Sequence, residues 1–206
     1  MSTFKVIGLC GRSGTGKGYV CARFAAFGIP SIDTDAVYRG IVADKDSACL
    51  SELVSFFGRE ILDSEGHLCR KSLSTIVFSD REKLGVLNSI THRYILEETE
   101  ALIEKARSEG KRAVIVDAPV LFESGFDRIC HIKICVTAPD EVCIKRICKR
   151  DSRTADEARV RLASQKSEET LRDLCDEVIV NDDNADVETR VREIVERYAL
   201  GGENEE

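Results

Sequence analysis

The feature that most constrains this chain is a glycine-rich stretch near its start, Gly11-Arg12-Ser13-Gly14-Thr15-Gly16-Lys17-Gly18. An apolar run, Val6-Ile7-Gly8-Leu9-Cys10, precedes it and reads as a buried strand. Val20, Phe24 and Phe27 follow at three- and four-residue steps, predicting a helix closed by Gly28. Strand, glycine turn and helix together make the context of a phosphate-binding loop. Without Cβ atoms, Gly11, Gly14 and Gly16 let the backbone bend tightly and turn its N–H groups around an anion. The first helical turn adds free N–H groups and the positive end of the helix dipole. Lys17 brings a full charge to the outer phosphates, a requirement that a purely structural glycine turn lacks. The stretch Gly11 to Tyr19, with Ser13, Thr15 and Gly18, is therefore expected to bind a nucleotide.

One position departs from the motif. The Ser or Thr that usually follows the lysine and binds magnesium is Gly18 here. A Gly-Lys-Gly ending resembles the loop of adenylate kinases, so catalysis is compatible with it. The metal must then lean on carboxylates, water and the nucleotide itself. Ser13 and Thr15 are the nearby hydroxyls.

At 206 residues, 43% hydrophobic and 33% charged, the chain has the make-up of a folded α/β domain rather than a disordered one. It has no apolar run of membrane-spanning length and no signal-peptide pattern, which predicts a cytoplasmic protein without membrane attachment. Its nine cysteines form no Cys-x-x-Cys pair, and most fall in apolar patterns, so reduced buried thiols are expected. A formal charge of −7 disfavours non-specific nucleic-acid binding. A phosphorylated substrate must then be drawn by a local basic patch.

Ile29 to Asp35 reads as a short strand ending in two carboxylates. Ligands of an open parallel sheet sit at the carboxyl ends of its strands. Asp33 and Asp35 emerge beside the loop if this strand lies next to the first; otherwise Asp35 or Thr34 caps the next helix. Arg39, one turn on, either faces the same cleft or pairs with Asp35. From Ser47 to Phe78 the pattern is short and amphipathic, and Ser79-x-x-Glu82 reads as a capping box before a helix running to about Ser108. This block looks like a helical cover for an acceptor substrate. It holds His92, and a lone helical histidine is more often structural than catalytic.

Arg112 to Asp117 is the second clear strand, ending in an acid suited to positioning a metal directly or through water. Ile129 to Thr137 predicts another strand, then a helix entered at Pro139. That helix carries Lys145, Arg146, Lys149 and Arg150, with Arg153 just beyond. Like charges at i, i+4 cost about 0.2–0.5 kcal/mol per pair, a sign that phosphates between them would reverse. The cluster reads as a lid. Thr154-x-x-Glu157 opens a helix expected to run to about Cys175, and Glu177 to Asn181 is a last strand with Asn181 placed to meet a base. A terminal helix, Val187 to Tyr198, follows.

Taken together, these landmarks resemble the dephospho-coenzyme A kinase family over nearly the whole chain. The specific pieces are Asp33-Thr34-Asp35 with Arg39, Ile90-Thr91-His92, and Asp117-Ala118-Pro119-Val120-Leu121-Phe122-Glu123. Lys145-Arg146, Arg150-Asp151, Gln165 and Asp176 to Asn181 complete the set. Departures are Gly18, Arg93 where a proline usually follows the histidine, and Cys69 before Arg70 where an aspartate is common.

The resemblance implies a three-layer α/β P-loop fold: a parallel sheet with helices on both faces, a helical acceptor-side insertion and a basic lid. On this reading residues 1–200 form one kinase domain, with the insertion at about 44–110 and the lid at about 145–170, and 201–206 form an acidic tail. It implies transfer of the ATP γ-phosphoryl group to the 3′-hydroxyl of dephospho-coenzyme A, with Mg²⁺ and no obligate protein partner. Lys17, Asp33, Arg146 and Arg150 would be catalytic, Asp33 as the base. Asp117 and Asp33 would serve the metal, partly through water. Asp35, Arg39, His92, Asp117, Leu121 and Glu123 would bind the acceptor, and Asn181 the nucleotide. Two rival readings remain: another kinase of the nucleoside monophosphate type, and a nucleotide-binding regulator without catalysis.

Overall fold

The computed structural model describes residues 4–78, 80–182 and 184–200. Five strands form one sheet: β1 (Lys5–Cys10), β2 (Ser31–Asp33), β3 (Ala113–Asp117), β4 (Ile132–Thr137) and β5 (Glu177–Val180), in the order β2-β3-β1-β4-β5. β1 pairs in parallel with β3 and β4, and β4 with β5. The central strand is β1, buried from Val6 to Cys10. Such a strand needs apolar residues on both faces, which is why Val6 to Cys10 shows no polar alternation.

The first strand's neighbour on one side is β3, not β2. The condition on which Asp33 would emerge directly beside the loop's strand is therefore not met. Asp117 takes that place, in register with Leu9.

The chain divides into two compact units, Met1–Ile32 with Ile103–Glu206, and Asp33–Leu102. In the first, α1 (Lys17–Ala25) and α9 (Val187–Arg197) pack together on one face of the sheet. Phe24, Val191 and Ile194 meet Ile7, Leu9, Ile115, Ile134 and Ile179 there, all fully buried. On the other face, Leu121 lies against Gly8, where a Cβ would come within 3.0 Å of its Cδ2. Glu177 is 5% exposed at the start of β5, so its charge needs partners. Arg190 supplies one at 2.6 Å and the Tyr198 hydroxyl donates another at 3.0 Å.

The sequence predicts one helix from Ala155 to about Cys175; the structure has two, α7 (Ala155–Ala163) and α8 (Glu168–Asp173). The break lies at Ser167, whose hydroxyl accepts the Thr170 N–H at 3.1 Å and caps a new helix. The expected box at Thr154 and Glu157 opens α7. The strand expected from Ile129 begins at Ile132; Ile129 instead ends a 3₁₀ turn, Phe126–Ile129, behind Gly125 at φ +78°.

The second unit is helical: α2 (Thr34–Ala43), α3 (Ala48–Phe57), α4 (Arg70–Phe78) and most of α5 (Arg81–Ser108). Leu53, Phe57, Ile61, Leu73, Val77 and Ile90 form its core. It takes in α2, which an insertion beginning near 44 leaves out, because α2 packs on α3. The Ser79 capping box and the 201–206 tail lie outside the described residues; Asp80 caps α5, accepting from the Glu82 and Lys83 N–H groups. Among the described residues no helix is long and apolar enough to cross a membrane.

Candidate active site

The loop between β1 and α1 takes the shape its glycines permit. Gly14 and Gly16 have φ of +83° and +87°. A Cβ on Gly14 would lie 2.5 Å from the Cys143 carbonyl, and one on Gly16 2.2 Å from Asn181 Nδ2. Neither position admits a side chain. Gly16 is also the N-cap of α1 and supplies no capping side chain; the Tyr19 N–H donates to its carbonyl at 3.0 Å, and the Lys17 and Gly18 N–H groups stand at the helix's positive end for a ligand. Lys17 Nζ lies 3.3 Å from the Gly11 carbonyl.

The two loop hydroxyls have protein partners. Thr15 is 1% exposed and donates to the Arg12 carbonyl at 2.9 Å, so it braces the turn. Ser13 Oγ accepts from Arg161 Nε at 2.9 Å. Gly18 is exposed, and a Cβ there would meet nothing within 4 Å.

Basic residues gather on this loop from α6 (Asp140–Asp151) and α7. Arg146 Nη1 donates to the Asn181 carbonyl at 2.9 Å and lies 3.3 Å from that of Gly14. Arg150 takes another course: its guanidinium makes two hydrogen bonds to Asp151, at 2.7 and 2.8 Å, and is exposed. Those bonds hold the Asp151 carboxyl below its usual range, with Arg161 and Arg153 adding to the effect. Lys145 and Lys149 are exposed as well. Of the cluster on α6, Arg146 is the member these contacts tie to the phosphate loop.

Asn181 is 6% exposed, and its side-chain amide donates to the Thr15 carbonyl at 2.7 Å. The structure therefore engages its amide with the loop itself. Asp117 ends β3 beside Leu9, and the Ala118 N–H donates to the Leu9 carbonyl at 3.2 Å. Glu123 forms an ion pair with Lys166 at 3.2 Å. Both line a cavity of about 390 Å³ together with Gly11, Arg12, Val120 and Gln165. Leu121 is fully buried, so it supports β1 and presents no surface to this cavity.

Three residues here escaped the sequence reading as site residues: Arg12, Arg161 and Lys166. Arg12 pairs with Asp140 and lies 3.7 Å from Glu168. Arg161 sits between Ser13 and Asp151 Oδ2, at 3.1 Å from the latter. The signal that could have found Arg161 is Gln165, one helical turn later, which accepts the Ser13 N–H at 2.9 Å.

In the helical unit, Asp33 is the N-cap of α2. Its Oδ1 accepts from Asp35 and Ala36 N–H at 2.9 and 3.1 Å, and Arg39 lies 3.4 Å from Oδ2. The cap is thus Asp33, not Thr34 or Asp35, and Arg39 pairs with Asp33 rather than with Asp35. His92 is half-buried, and burial lowers its pKa below 6.5. Arg93 pairs with Glu52, which also accepts from the Tyr94 hydroxyl at 2.8 Å. Cys69 accepts from Ser72 at 3.2 Å, and that bond lowers its pKa.

The dephospho-CoA kinase family model matches residues 5–187. A dephospho-CoA kinase of Corynebacterium diphtheriae is 37% identical over 196 residues, 95% of this chain and 98% of that one. The TT1252 protein of Thermus thermophilus superposes with a TM-score of 0.81 at 28% identity, over 97% of this chain and all of that one. A dephospho-CoA kinase from Campylobacter jejuni gives 0.67 at 25% identity, over 93% and 96% of the two chains. With the phosphate loop, Arg146 and Asp117 set around one end of a parallel sheet, these likenesses agree: the chain belongs to the dephospho-CoA kinase family.

Proposed function

We propose that the protein transfers the γ-phosphoryl group of ATP to the 3′-hydroxyl of dephospho-coenzyme A, giving coenzyme A and ADP. The observation that carries this reading is the phosphate loop braced by Arg146 and Asn181, in a chain of this family. Phosphoryl transfer needs placement and charge neutralisation more than covalent help from the protein. The loop amides and Lys17 hold the outer phosphates. Arg146 compensates charge on the transferring group, and Arg150 joins it by leaving Asp151. Removing one such stabiliser typically costs about 2.7–4 kcal/mol of barrier.

Asp33 accepts the proton of the attacking hydroxyl. Its Oδ2, shared with Arg39, is the oxygen for that work, since Oδ1 is engaged with the start of α2. Asp35, Arg39 and His92 bind the acceptor, as Glu123 does from the cavity beside Gly11. Mg²⁺ supplies charge neutralisation on the phosphates when bound. Among the described residues no group of three or more His, Cys, Asp or Glu could hold a metal ion. That donor set suits a cation carried mainly by phosphates and water, with Asp117 and Asp33 as the protein's carboxylates. The acceptor and the nine cysteines, each a free thiol, favour the cytoplasm as its location.

A coupled ADP-release assay with dephospho-coenzyme A, AMP and CMP as acceptors tests the assignment. Turnover with dephospho-coenzyme A alone is expected; turnover with AMP or CMP instead would replace the reading by that of a nucleoside monophosphate kinase. Asp33→Asn tests the base. Asn is as good an N-cap as Asp, so the helix survives while the proton acceptor is lost. ATP binding is expected to persist and turnover to vanish.

A further inference from the structure

Three of the cysteines meet on the sheet face opposite α1 and α9. Cys10 and Cys135 are register partners on β1 and β4, and both are fully buried. Cys175, two residues past the end of α8, is half-buried, and its Sγ lies 3.5 Å from that of Cys10. The neighbouring Cys135 and Cys175 sulfurs and burial push the Cys10 thiol well above the usual range, and the Cys175 thiol is raised as well, so both enter the reaction as neutral thiols. The cluster thus has one member that an oxidant can reach and one thiol in contact with it.

Its position gives it leverage. Cys10 is the residue before Gly11, where the phosphate loop begins. Cys175 ends the segment that starts at Gln165, which holds the Ser13 N–H, and includes Glu168, which lies 3.7 Å from Arg12. This segment is already fastened to the loop at its front. A bond at its rear would close it on both sides.

We propose that Cys10 and Cys175 are a site of oxidative modification by hydrogen peroxide, and that the disulfide they form locks the α8 segment onto the phosphate loop and shuts out nucleotide. Peroxide meets Cys175. Its sulfur attacks one peroxide oxygen; the O–O bond breaks, and the departing hydroxide takes the Cys175 proton to become water. The sulfenic acid left on Cys175 is then attacked by the Cys10 sulfur. The S–S bond forms, the S–O bond breaks, and hydroxide leaves with the Cys10 proton as a second water. The two thiols lose two electrons and peroxide gains them. The sulfurs need only close from 3.5 Å to about 2.05 Å.

The test uses the reduced full chain, treated with hydrogen peroxide, with remaining thiols then blocked and peptides mapped by mass. Binding of a fluorescent ATP analogue is the second readout; it does not depend on the acceptor, so an error in the substrate assignment leaves it valid. A linked Cys10–Cys175 peptide pair is expected. If one oxidised molecule in about ten still opens, apparent nucleotide affinity falls about tenfold, and dithiothreitol restores it. Cys175→Ser should bind nucleotide equally before and after peroxide, whereas Cys69→Ser, which removes another half-buried thiol, should respond like the wild type. A linkage through other cysteines, a linked form of undiminished affinity, or equal loss in Cys175→Ser would each overturn the proposal.

Discussion

The side-chain amide of Asn181 donates to the Thr15 carbonyl at 2.7 Å and ties the end of β5 to the phosphate loop. The loop's curvature is therefore held from outside as well as by its glycines. Removing that donor leaves a buried carbonyl with weaker compensation, which costs about 1–3 kcal/mol. Asn181→Ala should lower the urea midpoint accordingly and raise KM for ATP. Gly16→Ala should be worse, since its Cβ would meet Asn181 Nδ2 at 2.2 Å and its φ is +87°. An ATP titration of both variants checks the order; equal affinity to wild type in Gly16→Ala would remove the loop from nucleotide binding.

Arg146 and Arg150 should separate kinetically. Arg146 touches the loop and the Asn181 carbonyl, whereas Arg150 is paired with Asp151. Arg146→Ala is expected to lower kcat by about 10²–10³ and to weaken ATP binding, because it removes both charge and a brace. Arg150→Ala should lower kcat with ATP binding unchanged. Steady-state kinetics with a separate binding measurement resolves the two, and an inert Arg150→Ala would strike that residue from the mechanism.

Gly18 has open space where a side chain would be. Gly18→Ser should fold and gain about 0.5 kcal/mol from helix propensity. The new hydroxyl stands where phosphate loops usually present a magnesium ligand. Half-maximal activity should then need less magnesium than in the wild type. An unchanged magnesium titration would show that the carboxylates and phosphates already complete the site.

His92 carries a pH signature. Burial places its pKa in the folded state below 6.5, so between those two values the unfolded chain binds more protons. Stability from this residue is complete above pH 6.5 and is lost as pH falls toward the folded value. Denaturant melts from pH 7.5 down to 5 should show this fall in the wild type and a flatter course in His92→Gln. Parallel curves would mean that another group sets the acid limb.

Much of the site could be read along the chain because phosphate binding is a local problem. Gly11, Gly14, Gly16 and Lys17 sit within seven residues, and backbone geometry alone explains why no larger side chains stand at the first three. The strand ending at Asp117 was equally legible, since a buried parallel strand leaves an uninterrupted apolar run. The break between α7 and α8 was not. Ser164 and Ser167 are ordinary helix residues until the Ser167 hydroxyl takes a backbone N–H as a cap.

By itself, then, the sequence determined a nucleotide-binding α/β fold, its glycine loop, the acids at the strand ends and the basic helix, because each is encoded in residues close along the chain. Only the tertiary structure decided that β3 separates β2 from β1, that Asn181 and Arg146 brace the loop, that Arg161 and Gln165 hold Ser13, and that Cys10, Cys135 and Cys175 share one spot. Contacts across 148 or 165 positions depend on strand order and helix packing, and no local periodicity carries that information.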